Sequence, residues 1–280
     1  MSGVNAPLRI EAGEVVDWIV FDRPEAANAL STPLLDALSE ALVRLRDSGA
    51  PVIGIRGAGK GFSAGVDLSE YNAAATPTAD AARLRRNVER WLDIWRHPKP
   101  VIVAVHGFCM GIAAQLPSFA DITLVAEDAR IGEPGIPLGG GFIAPTWVSQ
   151  VGAKRAKELA LIPGNHVTGA EAAAWGWANA AVPADRLVAC AEALAERMAL
   201  IPAPVLAMKK LSINRAMEAQ GFLASVNAIA ESDAILHLEP SVLALRQDIA
   251  SLGLKAVLAR FAGPRSQQIL TQSGRKTIDG

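Results

Sequence analysis

The chain has 280 residues, 51% of them hydrophobic, and a net charge of −1. Such a chain can bury one large core with an appendage, and its near-neutral charge excludes a general electrostatic attraction to nucleic acid or to an anionic membrane. No apolar run reaches the roughly 18 residues of a membrane span, residues 1–15 lack the pattern of a signal peptide, and Cys109 and Cys190 form neither a disulfide framework nor a zinc-ligand spacing, so a cytoplasmic protein is expected.

Residues 15–21 (VVDWIVF) read as a strand that Arg23–Pro24 ends. Ser31 is a candidate N-cap with Pro33 just inside, where its missing N–H costs little. Leu34, Leu38, Leu42 and Leu45 then recur at helical spacing and give one buried face, and Gly49 ends the helix. Residues 51–56 are the next strand, so strand, helix and strand form a crossover rather than a hairpin. Gly57, Gly59, Gly61 and Gly65 punctuate the following loop, and residues 72–78 read as a mobile segment. Residues 80–96 are a helix with Leu84, Val88, Trp91, Leu92 and Trp95 on one face. Arg83, Arg85, Arg86 and Arg90 make its remainder basic, which reads as a solvated face; the alternative is a wall of an anionic-ligand site.

Residues 101–105 are a buried strand between Pro100 and Gly107. HGFCMG leads from it into the apolar segment 112–120, read as a helix although Pro117 removes a backbone bond inside it. A strand that feeds a Gly-flanked turn into a helix leaves unpaired N–H groups at the helix start. With the helix dipole they can hold an oxygen that becomes negative during a reaction; an ordinary crossover is the alternative. Residues 122–126 and 129–131 read as strands, GEPGIPLGGG as an irregular loop before 142–151, residues 153–161 and 168–176 as helices, and 180–182 as a last strand. From 184 the pattern is helical: 184–200, 203–219, 222–237, 239–252 and 254–260, then a polar, loose tail from 263 to 280. This gives an α/β region, residues 1–190, followed by a helical one, residues 191–280.

SAGVDL at 63–68 and HGFCMG at 106–111, with RPEAANALS, GAKRAKELALIPG and AAAWGWANAAVP, resemble in order and spacing the crotonase (enoyl-CoA hydratase/isomerase) superfamily over most of residues 15–260. The resemblance implies a spiral of β-β-α units with a C-terminal helical oligomerisation domain that supports a homotrimer or homohexamer. It implies an acyl-CoA substrate, with coenzyme A bound as part of it and no separate cofactor, metal, nucleic-acid or membrane partner. In the family, the residue after the Ala-Gly of the first segment gives one oxyanion N–H, here Val66. The residue after the first Gly of a Gly-rich helix start gives the other; Gly111 fills that Gly here, so the donor is Ile112. Ala64, Gly65, Asp67 and Leu68 fall in the segment that binds CoA, with adenine contacts from near Ala64 and Leu68, while the family's counterpart of Asp67 braces the loop.

Hydratases of the family add two glutamates as acid and base. Gln115 stands at one of those positions and Gly135 at the other. An amide can orient water or bind a carbonyl but cannot carry a proton near neutral pH. The loop from 131 to 152 looks shorter than the family's, which lets Glu133 approach the vacated position. Glu133 is therefore the first candidate for the acid–base role; the alternative is a solvated loop charge. His106, Asp67 and Tyr71 are further candidates, Cys109 reads as a small core residue, and His97, His166 and His237 show no ligand spacing. Neither a Gly-x-Ser-x-Gly elbow nor a nucleotide-binding glycine pattern is present.

Three readings follow. The first is a hydratase/isomerase acting on an acyl-CoA through a stabilised enolate. The second is another reaction of the superfamily: isomerisation, thioester hydrolysis, decarboxylation or C–C cleavage. The third is a CoA-ester binding protein without catalysis, which product formation would separate from the others. With Gln115 and Gly135 in place of two carboxylates, hydration of simple crotonyl-type thioesters is expected to be weak or absent, since a general acid or base contributes about 10²–10⁴-fold.

Overall fold

The structure, a computed structural model, describes residues 6–70, 76–139, 144–228 and 230–273. Tyr71, most of the segment 72–78 and the start of 142–151 lie outside the described residues. Among the described residues nine strands form two sheets: β1 (Leu8–Glu11), β2 (Val16–Phe21), β3 (Val52–Gly57), β4 (Val101–Val105), β5 (Phe108–Met110), β6 (Ile122–Ala126), β7 (Arg130–Gly132), β8 (His166–Thr168) and β9 (Ala180–Val182). The larger sheet runs β1-β2-β3-β4-β6-β9 and the smaller β5-β7-β8. Among the described strand pairs, β1 against β2 and β7 against β8 are antiparallel and the others parallel. Helix α1 (Thr32–Leu45) carries the chain from β2 to the parallel β3, and α2 (Pro77–Trp95) from β3 to β4.

Period-two alternation explains how the larger sheet buries both faces. Ile19, Phe21, Val101, Val103 and Val105 face the main core under α1 and α2. Val16, Trp18, Val20, Ile102 and Ala104 face the other way, where Leu187, Ala191 and Ala195 cover them. Those three lie on α5 (Leu187–Ala199), after α3 (Ala144–Ala160) and α4 (Gly169–Trp175). In α1, the Ser31 hydroxyl accepts from the Leu34 N–H, and Leu34, Leu38, Leu42 and Leu45 are buried as their spacing predicts.

The helical end comprises α6 (Ala203–Ala219), α7 (Phe222–Asn227), α8 (Ala230–Leu236), α9 (Pro240–Leu252), α10 (Leu254–Arg260) and α11 (Ser266–Ser273). Ala81 and Leu84 of α2 pack against Ala230 and Ala234 of α8, whose small side chains let the two helices approach closely. Helix α6 is pinned by Lys210 Nζ, which donates to Asp121 Oδ2 at 2.7 Å and to the Ile94 carbonyl at 3.1 Å.

Four expectations are corrected. The segment after Met110 is a 3-10 helix, Gly111–Phe119, with Pro117 inside it. The continuous helix expected over 222–237 is two short helices. The strands β1, β5 and β8 are additional; β5 and β8, at three residues each, are too short to show a period. The tail is not loose throughout: Ser266, at the start of α11, is buried, and its backbone N–H donates to Asn165 Oδ1 at 3.0 Å.

Candidate active site

Two Gly-rich loops meet at the end of β3 and β4. Residues 23–28 lock the first. Arg23 donates to Asp67 Oδ2 at 2.9 Å, and Asn28 Nδ2 donates to the carbonyls of Ala58 and Gly61 at 2.8 and 2.9 Å. A parallel bridge joins Leu30 to Val66. In it the Leu30 N–H donates to the Gly65 carbonyl and the Asp67 N–H to the Leu30 carbonyl. Such a bridge uses the groups flanking Val66, so the Val66 N–H points away from Leu30. Gly65, at φ +99°, turns the chain here. The second loop passes through β5, which a bridge between Ser63 and Cys109 ties to the first. Gly111, at φ +58°, then starts the 3-10 helix. Ile112 is its second residue, where an N–H has no partner within the helix.

Val66 and Ile112 line one cavity of about 360 Å³. Glu133, Asp233 and His237 line it too, with Leu84, Ile136 and Leu258 among its apolar residues. Glu133 sits just after β7. Its backbone N–H donates to the Asn165 carbonyl at 3.1 Å. Asn165 is in turn held by the Ser266 of α11, so the tail helix fixes the loop that carries Glu133. Burial, helped by the nearby Asp233 carboxylate, raises the half-buried Glu133 carboxyl to about 7. It is thus able to hold a proton at neutral pH and to release it.

A model of the family described as enoyl-CoA hydratase/isomerase matches residues 11–231. The chain belongs to the enoyl-CoA hydratase/isomerase family. It is 62% identical to a solved candidate enoyl-CoA hydratase/isomerase from Novosphingobium aromaticivorans DSM 12444, over 96% of this chain and 99% of that one, with a TM-score of 0.94. It is 30% identical to a solved enoyl-CoA hydratase from Mycobacterium smegmatis, over 91% of this chain and 92% of that one, with a TM-score of 0.83. It is also 33% identical to the 1,2-epoxyphenylacetyl-CoA isomerase of Escherichia coli strain K12, covering 71% of this chain and 78% of that protein. These likenesses and the mixed sheets with a helical end place the chain in the crotonase fold.

Within this member of the enoyl-CoA hydratase/isomerase family, Ala64, Gly65, Leu68 and Gly111 line the same cavity as Val66 and Ile112. Asp67 does not; it braces the loop. Burial opposes its ionisation, but hydrogen bonds from Ser69 and Arg23 outweigh that and hold its carboxyl below the usual range. Gln115 is turned away into the core, where its Oε1 accepts from Trp91 Nε1 at 3.3 Å. Gly135 lies under α10: a Cβ there would fall 2.5 Å from Leu258 Cδ2. A side chain at 135 would therefore have to displace the Leu258 methyl group of α10.

His106 Nε2 is bonded to the Gly59 carbonyl at 2.9 Å and does not line the cavity. Cys109 is fully buried, its thiol pushed up by that burial, as a core residue should be. The basic side of α2 is largely spent on acids: Arg83 pairs with Asp80, Arg85 with Glu231 and Arg90 with Asp36. Asp233 and His237 are residues that sequence reasoning missed as site candidates. Their spacing of four on a helical segment, which places both on one side, was the available signal. No described helix is long and apolar enough to cross a membrane.

Proposed function

We propose that the chain catalyses proton transfer at the carbons beside the thioester carbonyl of an acyl-CoA, through an enolate held by the N–H groups of Val66 and Ile112. The observation that carries this reading is that both of these residues and Glu133 open onto one cavity. The thioester oxygen gains negative charge as the neighbouring carbon loses a proton. Two fixed N–H donors favour that charge, and loss of one costs about 3–4 kcal/mol of transition-state stabilisation. Glu133, protonated up to about pH 7, serves as the acid. Coenzyme A enters along the segment Ala64–Leu68, as part of the substrate.

The test is a panel of saturated, enoyl, 3-hydroxyacyl and β-keto CoA thioesters, with products read by mass spectrometry and binding by calorimetry. Turnover of at least one thioester is expected, lost in Glu133→Gln with binding near wild type. Binding without any turnover would favour a CoA-ester binding protein, and no binding at all would defeat the reading.

A further inference from the structure

Helices α10 and α11 lie beyond the span that matches the family, residues 11–231, yet both meet the site. Leu254 and Leu258 of α10 line the cavity. Helix α11 meets Asn165 instead, a buried residue in the turn between α3 and β8. Every polar group of Asn165 is used. Its Oδ1 accepts from the Ser266 N–H at 3.0 Å, and its Nδ2 donates to Ser266 Oγ at 3.0 Å and to the Glu158 carbonyl at 2.8 Å. Its backbone N–H donates to the Ile162 carbonyl at 3.0 Å, and its carbonyl accepts from the Glu133 N–H at 3.1 Å. A side-chain amide with both hydrogens and its oxygen paired is held in one orientation. Glu158 of α3 completes the latch: its Oε1 accepts from Ser266 Oγ at 2.7 Å and from Gln267 Nε2 at 2.6 Å.

The contact on the other side of Asn165 is as tight. A Cβ on Gly132 would fall 2.3 Å from the Asn165 carbonyl oxygen. The end of β7 thus lies hard against Asn165, and in so close a packing a shift of Asn165 moves Gly132 and Glu133 with it. We infer that Ser266 and Asn165 are positioning residues for Glu133: α11, latched to the Asn165 amide, holds the loop after β7 where the Glu133 carboxyl reaches the substrate. This rests on the acyl-CoA reading above. Neither Ser266 nor Asn165 lines the cavity, so their effect passes through the bond from the Glu133 N–H. A general acid must lie within hydrogen-bond reach of the reacting atom, and a displacement of about 1 Å costs about 10²-fold in rate. The segment Ala64–Leu68, which takes coenzyme A, is held by Arg23, Asn28 and Leu30 rather than by α11. Loss of the latch therefore lowers kcat and spares KM.

The experiment uses the full chain and the enoyl, 3-hydroxyacyl and β-keto CoA thioesters of the panel above. It reads kcat, KM and melting temperature for wild type, Ser266→Pro, Ser266→Ala and Gln267→Ala. Proline at the first position of α11 removes both the N–H and the hydroxyl that hold Asn165, and a helix tolerates it there. Its kcat is expected to fall about 10²-fold with KM near wild type. Ser266→Ala loses the hydroxyl alone, and a fall of about 3- to 10-fold is expected, the effect of one hydrogen bond. Gln267→Ala removes a bond from α11 to Glu158 but none to Asn165, so its turnover is expected near wild type. If Ser266→Pro does not fold, Ser266→Ala decides. Full turnover in a folded Ser266→Pro or in Ser266→Ala, a rise in KM with kcat unchanged, or an equal fall in Gln267→Ala would overturn the positioning role. Absence of turnover of every thioester by the wild type would instead overturn the acyl-CoA reading and the assignment with it.

Discussion

A Cβ placed on Gly65 would fall 2.7 Å from the carbonyl oxygen of Met110. The two loops that bear Val66 and Ile112 therefore approach each other as closely as backbone allows, and glycine is what permits it. Its φ of +99° adds a second reason, since L side chains avoid that region. Gly65→Ala is expected to cost about 1–3 kcal/mol of stability and to weaken acyl-CoA turnover more than its melting temperature alone would suggest. Denaturant unfolding and steady-state kinetics on the same preparation check this; unchanged turnover would mean that the loop approach does not matter to the chemistry.

Glu133 makes stability depend on pH. Its carboxyl is raised from 4.5 to about 7 in the folded protein. The folded state then keeps a proton that the unfolded chain has released. The contribution is complete below pH 4.5 and is lost as pH rises through about 7. Wild type is expected to lose up to about 3 kcal/mol across that window relative to Glu133→Gln. His97, pushed down by burial to about 4, gives an opposite slope between about 6.5 and 4, but it is present in both proteins and cancels. Parallel stability curves for the two proteins would contradict the buried-acid assignment.

The buried Lys210 pairs with the partly exposed Asp121 and ties α6 to the start of β6. Asp121 also accepts from the Val101 N–H at 2.7 Å, so the pair holds the strand that leads into the second Gly-rich loop. Lys210→Ala leaves that partly solvated carboxylate without its cation, and a loss of about 1–3 kcal/mol, between the surface and buried ranges, is expected in chemical denaturation. A loss below about 1 kcal/mol, the range of surface pairs, would show that the charge is relaxed by solvent.

Helix α6 presents Val205, Met208, Leu211 and Ile213 to the surface. We expect these side chains to be covered in a trimer or hexamer assembled through the helices after residue 184. Sedimentation equilibrium at micromolar concentration should give that mass; a monomer would reject it.

The β2-α1-β3 crossover was legible because each element carries its own period, and the two Gly-rich loops because glycine marks sharp turns at fixed places. Glu133 was legible as a candidate, since the shortened loop from 131 to 152 brings an acid near the vacated position. His237 was not. Its partner Asp80 is 157 positions away in sequence, and their meeting depends on alanines that let α8 settle against α2. Spacing along one helix could place His237 and Asp233 on one side, but it cannot report the contact with Asp80. Gln115 misled for the opposite reason: its position in the motif said cavity, while the Trp91 indole, buried on α2, draws its amide into the core.

The thioester oxygen is expected to sit between the Val66 and Ile112 N–H groups. A crystal structure of the full chain with a non-hydrolysable acyl-CoA analogue tests it most directly. That oxygen is expected within about 2.7–3.1 Å of both nitrogens, with Glu133 on the acyl side of the carbonyl. A thioester oxygen bound elsewhere, with the two N–H groups facing solvent, would contradict it.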